Sequence, residues 1–398
     1  MHLRRALFLS VLTLAASSGY GQIRTIAHAD TTVGNHFGAA VALDAERGRA
    51  VIGATGEARC GANAGAAYVF ERDAAGALAE AARLEPADCA SGDLFGRAVA
   101  LSGDRALVAA GGEFVDPGRP NRAYLFERDA SGAWQQAATL TAEPGHNEGV
   151  FAAAIDLEGD RALVTTAGDP AQRAYGGAAY VFERNASGAW QQTARLVGSA
   201  GTRAGIFGSH ARLDGDRALV TASPYDNEGT GSVYIFERDG TASGRGAWRE
   251  TARIGSVRGF TVRADLDGDR LLVGHSAAGP DRSGRTLFYH RTNDGAWRRV
   301  STLVPSTSCE DCSFGEAVSL DGDRALVVGY GEQIGLGYNV DRVVYSFAYT
   351  PEAGWVQQQV MDLGRWAFGA ALDQAGRTAI IGQASDAQPG VAYLVELL

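Results

Sequence analysis

The stretch Phe314-Gly315-Glu316-Ala317-Val318-Ser319-Leu320-Asp321-Gly322-Asp323-Arg324-Ala325-Leu326-Val327-Val328-Gly329 decides the fold. It opens on a strand whose residues alternate with period two. In the copy at Phe95, Val99 and Leu101 share one side with that Phe, and Gly96, Ala98 and Ala100 share the other. Asp-Gly-Asp then makes a tight hairpin, because glycine accepts positive φ without strain. A second strand follows at once, Arg324 to Val328 here and Arg217 to Val220 in another copy.

The anchoring phenylalanines are Phe37, Phe95, Phe151, Phe207, Phe260, Phe314 and Phe368, spaced by 58, 56, 56, 53, 54 and 54 residues. Glycine follows the anchor except at Ala152 and Thr261. After the second strand comes a loop of Gly, Pro, Asp and Asn, the residues of turns. The third strand is Ala67 to Arg72, with copies at Ala123 to Arg128, Ala179 to Arg184, Val233 to Arg238 and Thr286 to Arg291. A short turn leads to a fourth strand that opens with Trp134, Trp190, Trp248, Trp297 or Trp355; Leu78 holds that place in the first unit.

Seven four-stranded units predict an all-β, seven-bladed propeller of antiparallel blades. A lone four-stranded sheet leaves its apolar faces bare, and packing between like neighbours around an axis covers both. Crowding near that axis accounts for the Gly, Ala and Ser of the first strand. The seventh unit, from Phe368 to Leu398, lacks a tryptophan strand. Gln22 to Ala27 resembles the ends of fourth strands such as Gln136 to Leu140, so residues 22–28 are expected to supply the outer strand of the last blade.

The Phe-Gly starts, the Asp-Gly-Asp hairpins and the Gly53-Ala54 step resemble the FG-GAP repeat, over residues 22–398. That family includes the propeller of integrin alpha chains and many exported bacterial proteins. Integrin-type repeats often carry a calcium loop of the form Asp-x-Asp-x-Asp-Gly. The nearest match, Asp265-Leu266-Asp267-Gly268-Asp269, has its glycine at the fourth place and is too short to wrap a cation needing six to eight oxygens. These aspartates are therefore read as turn residues, and no metal or other cofactor is expected.

A net charge of -10 argues against a nucleic-acid partner, which needs a clustered basic surface. Residues 1–21 read as a signal peptide: Arg4 and Arg5, then a mostly apolar run from Ala6 to Ala16, then small residues. That run is too short to span a bilayer, and no later one is longer. A secreted or periplasmic product is expected, with residues 22–398 as a single domain. In an oxidising compartment the four cysteines suit disulfides: Cys60 with Cys89 on one rim, and Cys309 with Cys312 in Cys-Glu-Asp-Cys. Asn185-Ala186-Ser187 is a glycosylation triplet only in a eukaryotic host.

Loops joining second to third strands, and fourth to next first strands, share one rim and are long and variable. Function is expected there, on a rigid frame. Candidate contacts are Trp366, Phe114, Tyr175, Tyr225, Tyr330 and Tyr338, since rigid exposed aromatics suit sugars and protein partners. The competing expectation is that each folds down into its own loop. Among the histidines, His36 and His146 fall in rim loops, His210 on an inner strand and His275 at the end of a second strand, with no metal-site spacing. No nucleophile elbow, phosphate loop or zinc-protease helix occurs. The expectation is a non-enzymatic binding module for a protein or glycan. The alternatives are a hydrolase or lyase at the channel mouth, marked by converging acids and histidines, and a structural surface or matrix component.

Overall fold

The computed structural model describes residues 22–30, 32–74, 76–112, 120–141, 150–167, 176–199, 205–224, 230–240, 246–258, 262–276, 283–306, 312–330, 342–363, 368–385 and 388–397. After β1 (Ile23–Ile26), the first blade is built from β2 (Phe37–Asp44), β3 (Arg49–Ala54), β4 (Ala66–Arg72) and β5 (Leu78–Leu84), paired in that order. Five more blades of four strands each, from β6 (Val99–Ser102) to β25 (Gly354–Asp362), repeat this antiparallel meander. The seventh holds β26 (Phe368–Ala375), β27 (Thr378–Ala384), β28 (Val391–Glu396) and, at its outer edge, β1.

Ring closure is direct. Ile23 pairs with Val395 and Ile26 with Ala392, antiparallel. Ile26 is 5% exposed and joins an apolar cluster with Phe37, Tyr68, Ile380 and Leu394, so the first and last units share a core. Seven clusters of buried residues each straddle two successive blades, the last joining blades seven and one. The core of this protein is thus the set of gaps between sheets.

Five Phe anchors of the repeat pack their rings, tilted or edge-on, against their own third strand. Phe37 meets Tyr68 and Phe70, Phe95 meets Tyr124 and Phe126, and Phe314 meets Tyr345 and Phe347. The Tyr-x-Phe spacing puts both rings on one face of a strand. In blades two and six the Phe lies outside the inner strand, which begins at Val99 and Ala317. There Phe95 and Phe314 bridge Gly65 and Gly284 of the preceding blade. In blades one, three, four and seven the inner strand slips register after the Phe, as between Phe37 and Val41. The period-two pattern therefore breaks after the anchor, because the chain bends there to dock on its neighbour.

The glycines mark the tightest approach between blades. A Cβ on Gly53 would lie 1.9 Å from Gly96 O, one on Gly274 2.2 Å from Gly315 O, and one on Gly382 2.2 Å from Gly38 O. Gly96 has φ 91°, which a side chain would strain. Ala152 occupies the same position at φ 57°.

Candidate functional site

The two rims differ in kind. On the short-hairpin rim the repeat residues form ion pairs that run from blade to blade. Arg49 pairs with Glu71 at 3.0 Å in its own blade and with Asp104 of the next at 2.6 Å. Arg105 repeats this with Glu127 at 3.2 Å and Asp160 at 3.0 Å, and Arg161 with Glu183 at 3.1 Å and Asp216 at 3.3 Å. Arg128 and Arg184 reach back to Glu71 and Glu127. Arg49 holds the Asp104 carboxyl below its ordinary range by hydrogen bonding and charge.

The aspartates read as turn residues also clasp neighbours. Asp44 accepts from Gly103 N at 3.0 Å, Asp214 from Gly268 N at 2.9 Å and Asp267 from Gly322 N at 2.6 Å. In Asp265-Leu266-Asp267-Gly268-Asp269 the three carboxylates serve different partners. Asp265 takes Leu320 N and Arg212, Asp267 takes Gly322 N, and Asp269 takes Arg217 and Arg291.

Among the described residues the long-loop rim forms no such ion-pair series; its recurring link is a fourth-strand side chain that accepts from the connection before its blade, Gln136 from Ala87 N, Glu250 from Ser199 N and Gln357 from Ser306 N. This rim carries the Cys60–Cys89 disulfide, with Cα atoms 6.0 Å apart. Cys312 is also disulfide-bonded and is 1% exposed; Cys309 lies outside the described residues. Beside Cys89 a polar recess of about 210 Å³ is lined by Ser91, Asp93, Asn121, Arg122 and Tyr124. Tyr124 donates to Asp88 at 3.0 Å, and Arg122 pairs with the same carboxylate.

Of the six aromatic candidates, only Tyr330 falls within the described residues; Trp366, Phe114, Tyr175, Tyr225 and Tyr338 lie outside them. Tyr330 ends its strand half-buried rather than standing free on the rim. Its hydroxyl donates to Glu316 at 3.2 Å, and the Arg342 guanidinium lies over its ring, 5.3 Å from the centroid. Arg342 pairs with Glu316 at 3.2 Å. Burial, helped by the Glu316 charge, pushes the Tyr330 hydroxyl up.

Among the described residues no group of histidines, cysteines and acids is placed to hold a metal ion. His36 contacts Thr55 at 3.2 Å, and His146 lies outside the described residues. His275 is 4% exposed at the end of its strand, and burial pushes it down to about 4. His210 lies on the inner strand of the fourth blade, paired with Thr221.

A charged cluster on the axis was not anticipated from the repeat. Asp156 lies in β10 (Val150–Glu158), Arg212 in β14 (Ile206–Asp214), Asp265 in β18 (Val262–Asp267) and Asp373 in β26. All four stand five residues after the anchoring Phe, where the other blades have Ala42, Ala100 and Ser319. Arg212 Nε is 3.1 Å from Asp265 and 3.9 Å from Asp156, and Nη2 is 3.7 Å from Asp373. Blades four and seven are not neighbours, so the guanidinium crosses the central channel. Asp156, Asp265 and Asp373 also accept from Leu213 N, Leu320 N and Leu43 N of the following blades, at 2.6, 2.8 and 2.8 Å.

Burial pushes Asp265 up to about 6, against the pull of Arg212, and raises Asp373 for the same reason. Arg212 is held charged, chiefly by Asp265. Burial, with Arg263 and Arg212 adding repulsion, pushes His210 down to about 3, so its ring is neutral at pH 7. The available signal was the charge itself: acids and an arginine on an inner strand otherwise made of small residues.

Among known proteins, the FG-GAP repeat profile matches residues 20–70 and 78–126. No curated protein matches. Among solved structures, the Pseudomonas aeruginosa periplasmic gluconolactonase aligns at 15% identity and a TM-score of 0.47, over 83% of this chain and 92% of that one. The matched segments fall on the first two blades, and the same anchor, hairpin and third strand build the blades that follow. On this ground the chain is an FG-GAP repeat β-propeller protein.

Proposed function

We propose that this protein is an exported, non-enzymatic binding module that engages a protein or glycan through its long-loop rim. The asymmetry of the rims carries this reading. The short-hairpin rim spends its charges on the same blade-to-blade pairs in succession. The long loops differ in sequence from blade to blade, and the first of them is braced by a disulfide beside a polar recess. Variable loops on a rigid frame are where recognition is built. Disulfides belong to oxidising compartments, which agrees with the signal-like residues 1–21 and a secreted or periplasmic product.

The test is a glycan and surface-protein binding screen of the chain from Gln22 onward. Saturable binding lost in Trp366→Ala supports the reading. Binding that survives every long-loop substitution, yet disappears in a folded Arg161→Ala protein, discards it.

The channel cluster favours a second reading, a hydrolase or lyase. Its carboxylates are committed, however. Asp265 accepts from Leu266 N, Leu320 N and Arg212, and Asp373 from Leu43 N and Gln374 N. Groups so engaged serve the closure of the ring better than proton transfer to a substrate.

A further inference from the structure

We propose that the axial channel, above the Arg212 plug, binds a small monocarboxylate anchored by Arg263, with His210 as a second donor. This goes beyond the rim reading and stands independently of it. Three residues after each anchoring Phe, five blades carry Ala40, Ala98, Ala154, Ala317 and Ala371. The adjacent blades four and five carry His210 and Arg263 instead. These positions lie two residues before the Arg212 set, on the same side of the inner strand and about 7 Å along it, toward the long-loop rim. At this level five blades turn alanine into the gaps between sheets, and Arg263 and His210 are the polar side chains, on adjacent blades above the Arg212 ion pairs.

Arg263 is short of partners. Its Nη1 donates to Ser209 O at 3.3 Å, and that is its one hydrogen bond among the described residues. A guanidinium has five N–H donors. The carboxylate that acts on it is Glu316, which is already paired with Arg342 at 3.2 Å. Nδ1 of His210 is buried and has no hydrogen-bond partner. Arg263 is half-buried, so donors left over from Ser209 O stay open to a ligand, and a planar carboxylate matches the guanidinium fork with two parallel bonds. The charge balance selects a monoanion. One unmatched guanidinium faces the ligand, while Glu316 above and three carboxylates around Arg212 below repel a second negative charge. Arg212 closes the floor, so the ligand enters from the long-loop rim.

The experiment is calorimetric titration of the chain from Gln22 with acetate, glucuronate and inorganic phosphate at pH 7.5. The expected result is saturable 1:1 binding of the two carboxylates, with phosphate at least about tenfold weaker. Arg263→Gln should weaken carboxylate binding by about 10- to 100-fold, the range for hydrogen bonds to a charged group. Acetate should raise the melting temperature of the parent chain and leave that of Arg263→Gln unchanged. If Arg263→Gln fails to fold, Arg263→Lys keeps the charge without the fork and should bind about tenfold more weakly. Absence of carboxylate binding overturns the proposal. So does equal binding of phosphate, or affinity undiminished in the folded Arg263 variants. Loss of rim binding by Trp366→Ala would leave this result untouched.

Discussion

Adding one methyl group at Gly53 tests the account of how blades meet. Its Cβ would lie 1.9 Å from Gly96 O of the next blade. Carbon contacts settle near 3.5 Å, so two backbones must part by roughly 1.5 Å. Neither side is a flexible chain end that can swing away. Overpacking costs about 1–3 kcal/mol and sometimes more, and a clash of backbone with backbone belongs at about 3 kcal/mol. At about 2 cal/mol/K per residue, a ring of this length unfolds with an entropy of roughly 0.8 kcal/mol/K, so Gly53→Ala should lower Tm by about 4 °C. Calorimetric melting is the assay. Gly240→Ala is the control, because nothing lies within 4 Å of its Cβ and its φ is not in the left-handed region; its Tm should hold or rise by about 1 °C. Ala152→Gly should also raise Tm by about 1 °C, since its φ of 57° costs a side-chain-bearing residue about 1–2 kcal/mol, partly offset by glycine's greater freedom when unfolded. If Gly53→Ala melts within a degree of the parent, the close-approach argument fails.

Asp265→Asn should raise Tm at pH 7.5. Burial lifts this carboxyl to about 6 in the folded chain against an ordinary 3.8, so its ionisation opposes folding above pH 6. The gap between parent and variant should close as pH falls from 6 to 4, where the folded parent takes up its proton before the unfolded chain does; an Asn variant that melts lower at pH 7.5 would show that the Arg212 pair outweighs burial. Cys60→Ser with Cys89→Ser opens a loop of 29 residues and should cost about 3–4 kcal/mol, read by urea unfolding. Arg161→Ala removes its pairs with Glu183 and Asp216 and its contact with the Trp248 ring, at about 1–2 kcal/mol in low salt and less at 0.5 M NaCl. Deleting residues 22–28 exposes the edge of β28 and loses the burial of Ile26, at about 2 kcal/mol or more, and an unchanged melting curve would refute closure by β1.

The repeat alone determined the strands, the hairpins, the number of blades and the partner of the N-terminal strand. Those follow from alternation and turn chemistry, which act between residues close in sequence and recur in every copy. Tyr-x-Phe on the third strand and Asp-Gly-Asp after the first were visible as patterns. That Glu71, Arg49 and Asp104 would clasp neighbouring blades was not, because the repeat does not state which residues of successive copies face each other. The axial cluster lay further still from sequence reading. Arg212 and Asp373 belong to blades that are not adjacent, and only closure of the circle carries them to a common axis, where burial then sets their charges. Local rules write the blades, and the meeting of distant side chains waits on the ring.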